Sequence, residues 1–360
     1  MKVSFWYSIF LVTASVLFIV GFNRCNRGNN QKRGEKYGGV LYLNSNEVPD
    51  LVFPGQVLKR SEQMIVSQAY IGLVKYNARN LSVEPLLAEN WTVSEDGLNY
   101  RFELVNQAYF HDDPCFHKGK GRRIVASDVK YSIEQICHYR HLSQQEISTQ
   151  VQNIKGFQTI SDKNLPNGQC NLLGIKVIND TILVFELSEP DALFLHFLAG
   201  TQSLVFPQEA FDAYGFKSTI GSGPFCFRNP ENKTDPITLV ANPKYFGKNR
   251  QKEQLPFLDS VVVSFISSPP KEMQLFEQGL LHLVVDVDHS RVSQFLDKHI
   301  DRFQSNPPYY LMIQTTTDND TKVHLMRANV QDLHLNTLGY YDFSSVYFME
   351  PKPREIKIGQ

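Results

Sequence analysis

"GSGPFCFRNPENKTDPITLVANPKYFG", residues 221–247, opens like a phosphate-binding loop and continues like a β-hairpin. A phosphate loop follows its last glycine with Lys and then Ser or Thr, whose ammonium and hydroxyl reach the phosphate and its metal. Pro224 and Phe225 stand there instead. A nucleophile elbow requires Gly-x-Ser-x-Gly around a strained turn, and Gly221-Ser222-Gly223 lacks that frame. What remains is a structural turn. A β-hairpin follows it.

Working outward, the chain has 360 residues, 42% hydrophobic and 20% charged, enough to bury a sizeable core in more than one lobe. Its 36 basic and 37 acidic residues are interspersed, with no basic block to make a footprint for nucleic acid. The surplus of 25 Phe and 16 Tyr over two Trp suits a β-rich mixed fold.

The two ends of the N-terminal segment set its compartment. "MKVSFWYSIFLVTASVLFIVGFNRC" (1–25) carries Lys2 and then no charge until Arg24, a length between a long signal sequence and a short membrane span. The chain is therefore expected to be exported. "NRGNNQKRGEKY" (26–37) has no apolar period and reads as a flexible tether. A cysteine between a hydrophobic leader and a polar tether is where a bacterial lipoprotein carries its lipid, which makes Cys25 the candidate attachment site. Phe22, Asn23 and Arg24 depart from the usual small and aliphatic residues ahead of it, so an uncleaved anchor and a simple cleaved leader stay open. Export also allows disulfides among Cys115, Cys137, Cys170 and Cys226, with four buried thiols as the alternative.

Along the chain, "GGVLYLNSN" (38–46) reads as a first strand, and Met64, Ile65, Gln68, Ala69, Gly72 and Leu73 as one face of a helix running to a turn at Asn77. Tyr100, Phe102 and Leu104 alternate with polar neighbours after the turn Glu95-Asp96-Gly97, the pattern of a half-wet hairpin. Ser127 is the expected N-cap of a helix carrying Val129, Ile133, Ile136 and Cys137. A hairpin turns at Asn179-Asp180, and short helices follow in "DALFLHFLA" and "PQEAFDAYG". "SVVVSFI", "PPKEMQLFEQGLL" and "HLVVDV" read as a small β-α-β unit, and the remainder as short strand-like runs.

The order of "GGVLYLNSNE", "AYIGLVKYN", "PLLAENWTVSEDGLNYRFELVNQAYFHDD", "ASDVKYSIEQ", "GIKVINDTILVFELSEP", "GSGPFCF", "NPKYFG" and "LDSVVVSFISSPPKEMQLFEQGLLHL", spread over residues 38–314, resembles the family 5 extracellular solute-binding proteins, the oligopeptide-, dipeptide- and nickel-binding components of bacterial ABC importers. The resemblance implies an α/β, type II periplasmic-binding-protein-like fold, with a large lobe over 38–264, a remnant of a second lobe over 265–314 and a C-terminal return over 315–360. It also implies that much of the second lobe is missing from the interior. In such proteins the Gly-Ser-Gly-Pro segment enters a strand near the ligand cleft and the crossing between lobes, which implies that Gly221 and Gly223 supply backbone angles a side chain would forbid.

The same resemblance implies a binding protein with no catalytic residue, cofactor or metal. "HDDPCFH" (111–117) gathers His111, Asp112, Asp113, Cys115 and His117 but coincides with a family loop where a His-Asp pair is common without metal. A ligand is expected against Asn46 and Glu47, which offer an amide and a carboxylate, and against Gly221, Ser222 and Gly223, with the alternative that Asn46 caps a turn and Glu47 is merely solvated. The implied partners are a peptide or small solute, an ABC permease and, through the N-terminus, the membrane, with the protein itself a monomer. A degenerate relative that serves as a surface scaffold without trapping ligand is the alternative.

Overall fold

The computed structural model describes residues 34–50, 53–55, 57, 59–139, 148–157, 171–228, 236–317 and 320–349. The N-terminal leader, Cys25, most of the tether and Cys170 lie outside the described residues.

From the N-terminus the elements are β1 (Val40–Asn44), α1 (Arg60–Ala69), the paired strands β2 (Val74–Tyr76) and β3 (Val83–Pro85), the hairpin β4 (Ala88–Val93) and β5 (Asn99–Leu104), and α2 (Ala126–Tyr139). The hairpin β6 (Ile175–Asn179) and β7 (Ile182–Glu186) and the short helices α3 (Phe194–Ala199) and α4 (Gln208–Tyr214) follow. The second half runs β8 (Phe225–Phe227), β9 (Ile237–Ala241), β10 (Ser260–Ser264), α5 (Pro269–Gln278), β11 (Leu283–Val287), α6 (His289–Gln304), β12 (Tyr310–Thr316), β13 (Thr321–Arg327), β14 (Val330–Gln331) and β15 (Tyr347–Phe348).

Three sheets carry the fold. In the order β4-β5-β7-β6, antiparallel throughout, Tyr100, Phe102 and Leu104 point inward with Leu183 and Phe185 of β7, and they pack in one core with Val129 and Ile133 of α2. Each such large side chain, fully buried, contributes about 1.5–3 kcal/mol. In the order β1-β10-β9-β8, β1 runs parallel to β10 and the other pairs are antiparallel. Leu41, Leu43, Val261 and Val263 of this sheet share a core with Met64 and Ile65 of α1. The third sheet, β11-β13-β12, is antiparallel. Phe276 of α5 and Val292 and Phe295 of α6 pack with its Val284, Val323, Leu325 and Tyr310, while Leu283 and Met326 join the core of the β1 sheet.

Several sequence expectations change here. β10 and β11 belong to different sheets, so the expected β-α-β unit is instead a crossing: α5 carries the chain from the β1 sheet to an antiparallel strand of the third. Residue 314, drawn as the end of the second-lobe remnant, falls inside β12, and β13 stands at the centre of the same sheet, so the small unit runs on to Arg327. α6 replaces what had read as strand-like runs; Asp288 caps it by accepting from Arg291 N at 3.0 Å. α1 ends at Ala69, and Val74–Tyr76 is a strand rather than the last turn of the helix. α2 begins one residue before Ser127, and Asp128 caps it by accepting from Val125 N at 2.8 Å while gripping Arg122. Cys115 and Cys226 are free thiols, so neither takes part in a disulfide.

The small unit is stitched to the large one at the end of β1. Asn44 Nδ2 donates to Ile266 O at 3.0 Å and to Glu272 Oε1 of α5 at 2.9 Å, and Asn44 Oδ1 accepts from Ile266 N at 2.8 Å. Tyr42 N donates to His282 Nδ1 at 2.9 Å.

Candidate functional site

Helix α1 organises the site. Its first turn is closed by Glu62, whose carboxylate accepts from Lys59 N at 3.0 Å and from Asp50 N at 2.9 Å. Met64 and Ile65 face the β1 sheet, and Val66 and Ala69 face a cluster around Phe53, Tyr70 and Phe206. Gln63 and Ser67, one turn apart, are only half-buried and share a third face.

The Gly-Ser-Gly turn is locked to the C-terminal end of this helix. Gly223 N donates to Ala69 O at 2.8 Å, and His111 N donates to Gly221 O at 2.8 Å. A Cβ on Gly221 would lie 2.1 Å from Ala69 O, and one on Gly223 2.3 Å from Gln68 O. Neither glycine adopts a left-handed φ. The expected reason for them is thereby corrected: they are required by close backbone approach, not by backbone angle. Gly223 O is bound by Asn242 Nδ2 at 2.9 Å and lies 3.1 Å from His111 Nε2. Burial pushes His111 down to about 4, so at neutral pH the ring is uncharged. Ser222 Oγ is buried and finds no hydrogen-bond partner among the described residues, so no base stands ready to activate it as a nucleophile.

The neighbouring "HDDPCFH" residues diverge. Asp112 is held down to about 2 by Lys244 first, with Gly121 N and Lys120 adding to it. Asp113 accepts from Tyr214 OH at 2.8 Å and from Cys115 N at 2.9 Å. His117 is exposed. Among the described residues no group of three or more His, Cys, Asp or Glu is arranged to hold a metal ion.

On its other flank α1 fixes the C-terminal return. Gln68, buried, donates through Nε2 to Tyr341 O at 2.8 Å and accepts at Oε1 from Phe343 N at 3.0 Å. Just before these anchored residues, Leu338, Gly339 and Tyr340 line a cavity of about 450 Å³ together with Gln63 and Ser67 of α1 and with His196, Phe197 and residues 199–202 at the end of α3. Tyr76 joins its aromatic wall, 5.8 Å from His196 and 5.7 Å from Tyr340, ring centre to ring centre. A smaller cavity of about 30 Å³ shares Ser67, Ala199, Thr201 and Tyr340 with the first and is lined further by Lys75 and Asp342. Lys75 Nζ donates to Asp342 Oδ2 at 2.7 Å. Asp342 raises the Lys75 ammonium well above its usual range; burial alone would raise the Asp342 carboxyl, but Lys75 and Ser344 hold it below the ordinary value, so the pair stays ionised.

Of the residues singled out on sequence, Asn46 and Glu47 are exposed on the loop after β1, and Gly221, Ser222 and Gly223 are buried beneath α1. None of the five lines either cavity, although the adjoining Pro224 lines the smaller one. Lys75, Tyr340 and Asp342 escaped the sequence reading, and Gln68 entered it only as part of a helix face. The only signal of Lys75 and Asp342 was a charge set inside an apolar or aromatic run, in "GLVKYN" and "GYYDFSS".

The sequence profile of the bacterial extracellular solute-binding proteins, family 5, middle region, matches residues 82–330. The chain belongs to this family. It is 28% identical over 219 residues to a probable di/tripeptide-binding protein 5 of Pseudomonas aeruginosa (strain UCBPP-PA14), covering 58% of this chain and 38% of that protein. It is 27% identical over 251 residues to heme-binding protein A of Haemophilus influenzae, covering 66% of this chain and 41% of that one. Among solved structures, an ABC transporter-associated periplasmic binding protein of Helicobacter pylori in complex with the peptide STSA matches with a TM-score of 0.60 at 24% identity, over 78% of this chain and 51% of that one. The fold is that of the type II periplasmic binding proteins, and the chain spans about two fifths to one half of the length of these relatives.

Proposed function

We propose that this protein is the exported solute-binding component of an ABC importer and receives a small solute in the cavity between α1, residues 196–202 and residues 338–340. The observation that carries the reading is the cavity itself: at about 450 Å³ it lies within the size range of small-molecule sites, and its walls combine aromatic rings with a few polar groups. Membership of the family supports it, as do relatives named for binding di/tripeptides and heme. The solute would then be handed to a membrane permease; none of the cavity's described lining residues comes from the small unit, which is joined to the large one at Asn44. Asn46, Glu47 and the Gly221–Gly223 turn remain part of the proposal, the loop as an exposed donor and acceptor pair and the turn as the frame that holds α1. Export and anchoring are assigned to residues 1–25, with Cys25 as the lipid attachment, and the protein to the periplasm or cell surface as a monomer.

With no described residue of the small unit lining the cavity, water competes for the solute's polar groups, so affinity is expected on the order of 10 μM or weaker, roughly 7 kcal/mol or less. Titration calorimetry of the full-length protein against peptide pools tests the reading, with Ser67→Trp as the variant that fills the cavity. Micromolar binding abolished by Ser67→Trp supports it; binding that ignores Ser67→Trp places the solute elsewhere.

The scaffold alternative is favoured by one observation. β12 ends its sheet, carries no charged residue over seven positions, and exposes Met312 beside an exposed Tyr309. Absence of any solute together with concentration-dependent self-association would favour that reading.

A further inference from the structure

The charges around the cavity are distributed in a way that limits what it can hold. Its described lining residues offer amides from Gln63, Gln150 and Gln202, hydroxyls, and the rings of Tyr76, Tyr340 and His196, and among the described residues no Asp, Glu, Lys or Arg. The charged side chains lie one layer deeper, in the smaller cavity, and there they neutralise each other as Lys75 and Asp342. Lys75 keeps 23% of its side-chain surface accessible although Tyr340, Tyr341 and Tyr245 line the same small cavity. Lys75 is itself one of the residues that line this cavity. The ammonium has three donors, and one is committed to Asp342 Oδ2. Asp342 is further satisfied by Ser344, whose N and Oγ both donate to its Oδ1.

We infer that the cavity selects an uncharged solute bound through carbonyl or hydroxyl oxygens, with the Lys75–Asp342 pair as a deep subsite for one such oxygen. The inference rests on the solute-binding reading and narrows it. A carboxylate brought to Lys75 would place a second anion beside Asp342, and a cationic amine brought to Asp342 a second cation beside Lys75; either leaves the subsite with a net charge, and no further charged residue among the described lining of the two cavities balances it. A neutral oxygen accepts a charge-assisted hydrogen bond from the ammonium without adding net charge. About 30 Å³ gives room for a group the size of a water molecule, which a carbonyl oxygen is. The outer chamber then offers amide and hydroxyl groups to further oxygens, and ring faces to apolar parts of the solute.

The test offers the full-length protein an equimolar mixture of N-acetylated tripeptide amides and free tripeptides of the same random composition, and quantifies the retained species by mass spectrometry. The expected result is at least tenfold enrichment of the blocked peptides. Replacing the pair in Lys75→Met/Asp342→Asn, which removes both charges and leaves an acceptor for Ser344, is expected to cut blocked-peptide retention at least fivefold. Equal retention of both pools, or preference for the free tripeptides, overturns the inference while leaving solute binding intact. Retention of neither pool overturns both. Unchanged retention in the double variant removes Lys75 from the site. The wild-type comparison needs no variant, so it decides the solute class even where the double variant folds poorly.

Discussion

The two flanks of helix α1 are built by opposite rules. Against the Gly-Ser-Gly turn, backbone meets backbone: Gly223 N reaches Ala69 O at 2.8 Å, and not even a methyl group fits at Gly221 or Gly223. On the Gln63 and Ser67 side the same helix borders about 450 Å³ of open space. The motif that looked like chemistry is therefore a clamp, and the unremarked polar pair one turn apart faces the candidate site. The contrast has a mechanical sense. A helix fixed along one flank and at its end by Gln68 can present the other flank at constant geometry.

The largest expected effect comes from breaking the locked flank. Gly221→Ala or Gly223→Ala puts a Cβ within about 2.3 Å of a backbone carbonyl that belongs to α1, and is expected to cost about 3 kcal/mol or more of stability, since backbone on both sides must shift. Chemical denaturation of each variant measures this. A loss below 1 kcal/mol would mean that the clamp yields, and the contrast between the flanks would go with it.

Acid is expected to act on the same flank. Buried His111 and partly buried His282 are both pushed down to about 4 by burial, against an ordinary value near 6.5. Above pH 6.5 both rings are neutral in folded and unfolded chains alike, and stability is at its full value. As pH falls from 6.5 towards 4 the unfolded chain takes up protons that the folded one refuses, so stability declines, by about 3 kcal/mol per ring as an upper bound. Unfolding free energies measured from pH 7 to pH 4 check the slope, and His111→Gln is expected to flatten the share that belongs to the clamp. A pH-independent stability across this window would show that these rings are not desolvated.

The smallest effect is expected at the exposed loop. Glu47→Gln changes a solvated side chain whose position lines neither cavity, so stability should move by less than about 0.5 kcal/mol. Solute affinity in the same variant discriminates: a tenfold loss for a bound solute would draw the site out of the cavity to the loop after β1.

Much of the fold was legible because local pattern and final environment agree. The alternation at Tyr100, Phe102 and Leu104 became the buried face of β5, and the turn at Asn179-Asp180 joined β6 to β7. α6 was missed although Val292, Phe295, Leu296, His299 and Phe303 recur at helical spacing behind the cap Asp288; the run was passed over as strand-like among neighbours that are strands. The end of α1 was misplaced for a different reason. Gly72 and Leu73 continue the apolar period, but pairing of Val74–Tyr76 with Val83–Pro85 makes the segment extended, a choice that depends on a partner strand several residues away.

Sequence by itself determined the family to which the chain belongs, through the order of its motifs along residues 38–314, and the structural character of Gly-Ser-Gly, through the residue types beside it. Tertiary structure alone decided which glycine property matters, which sheet each strand of the small unit joins, and that Lys75 meets Asp342 across 267 positions of chain. A long-range ion pair or a cavity wall is a relation between surfaces brought together by folding, and neither residue carries a mark of its partner.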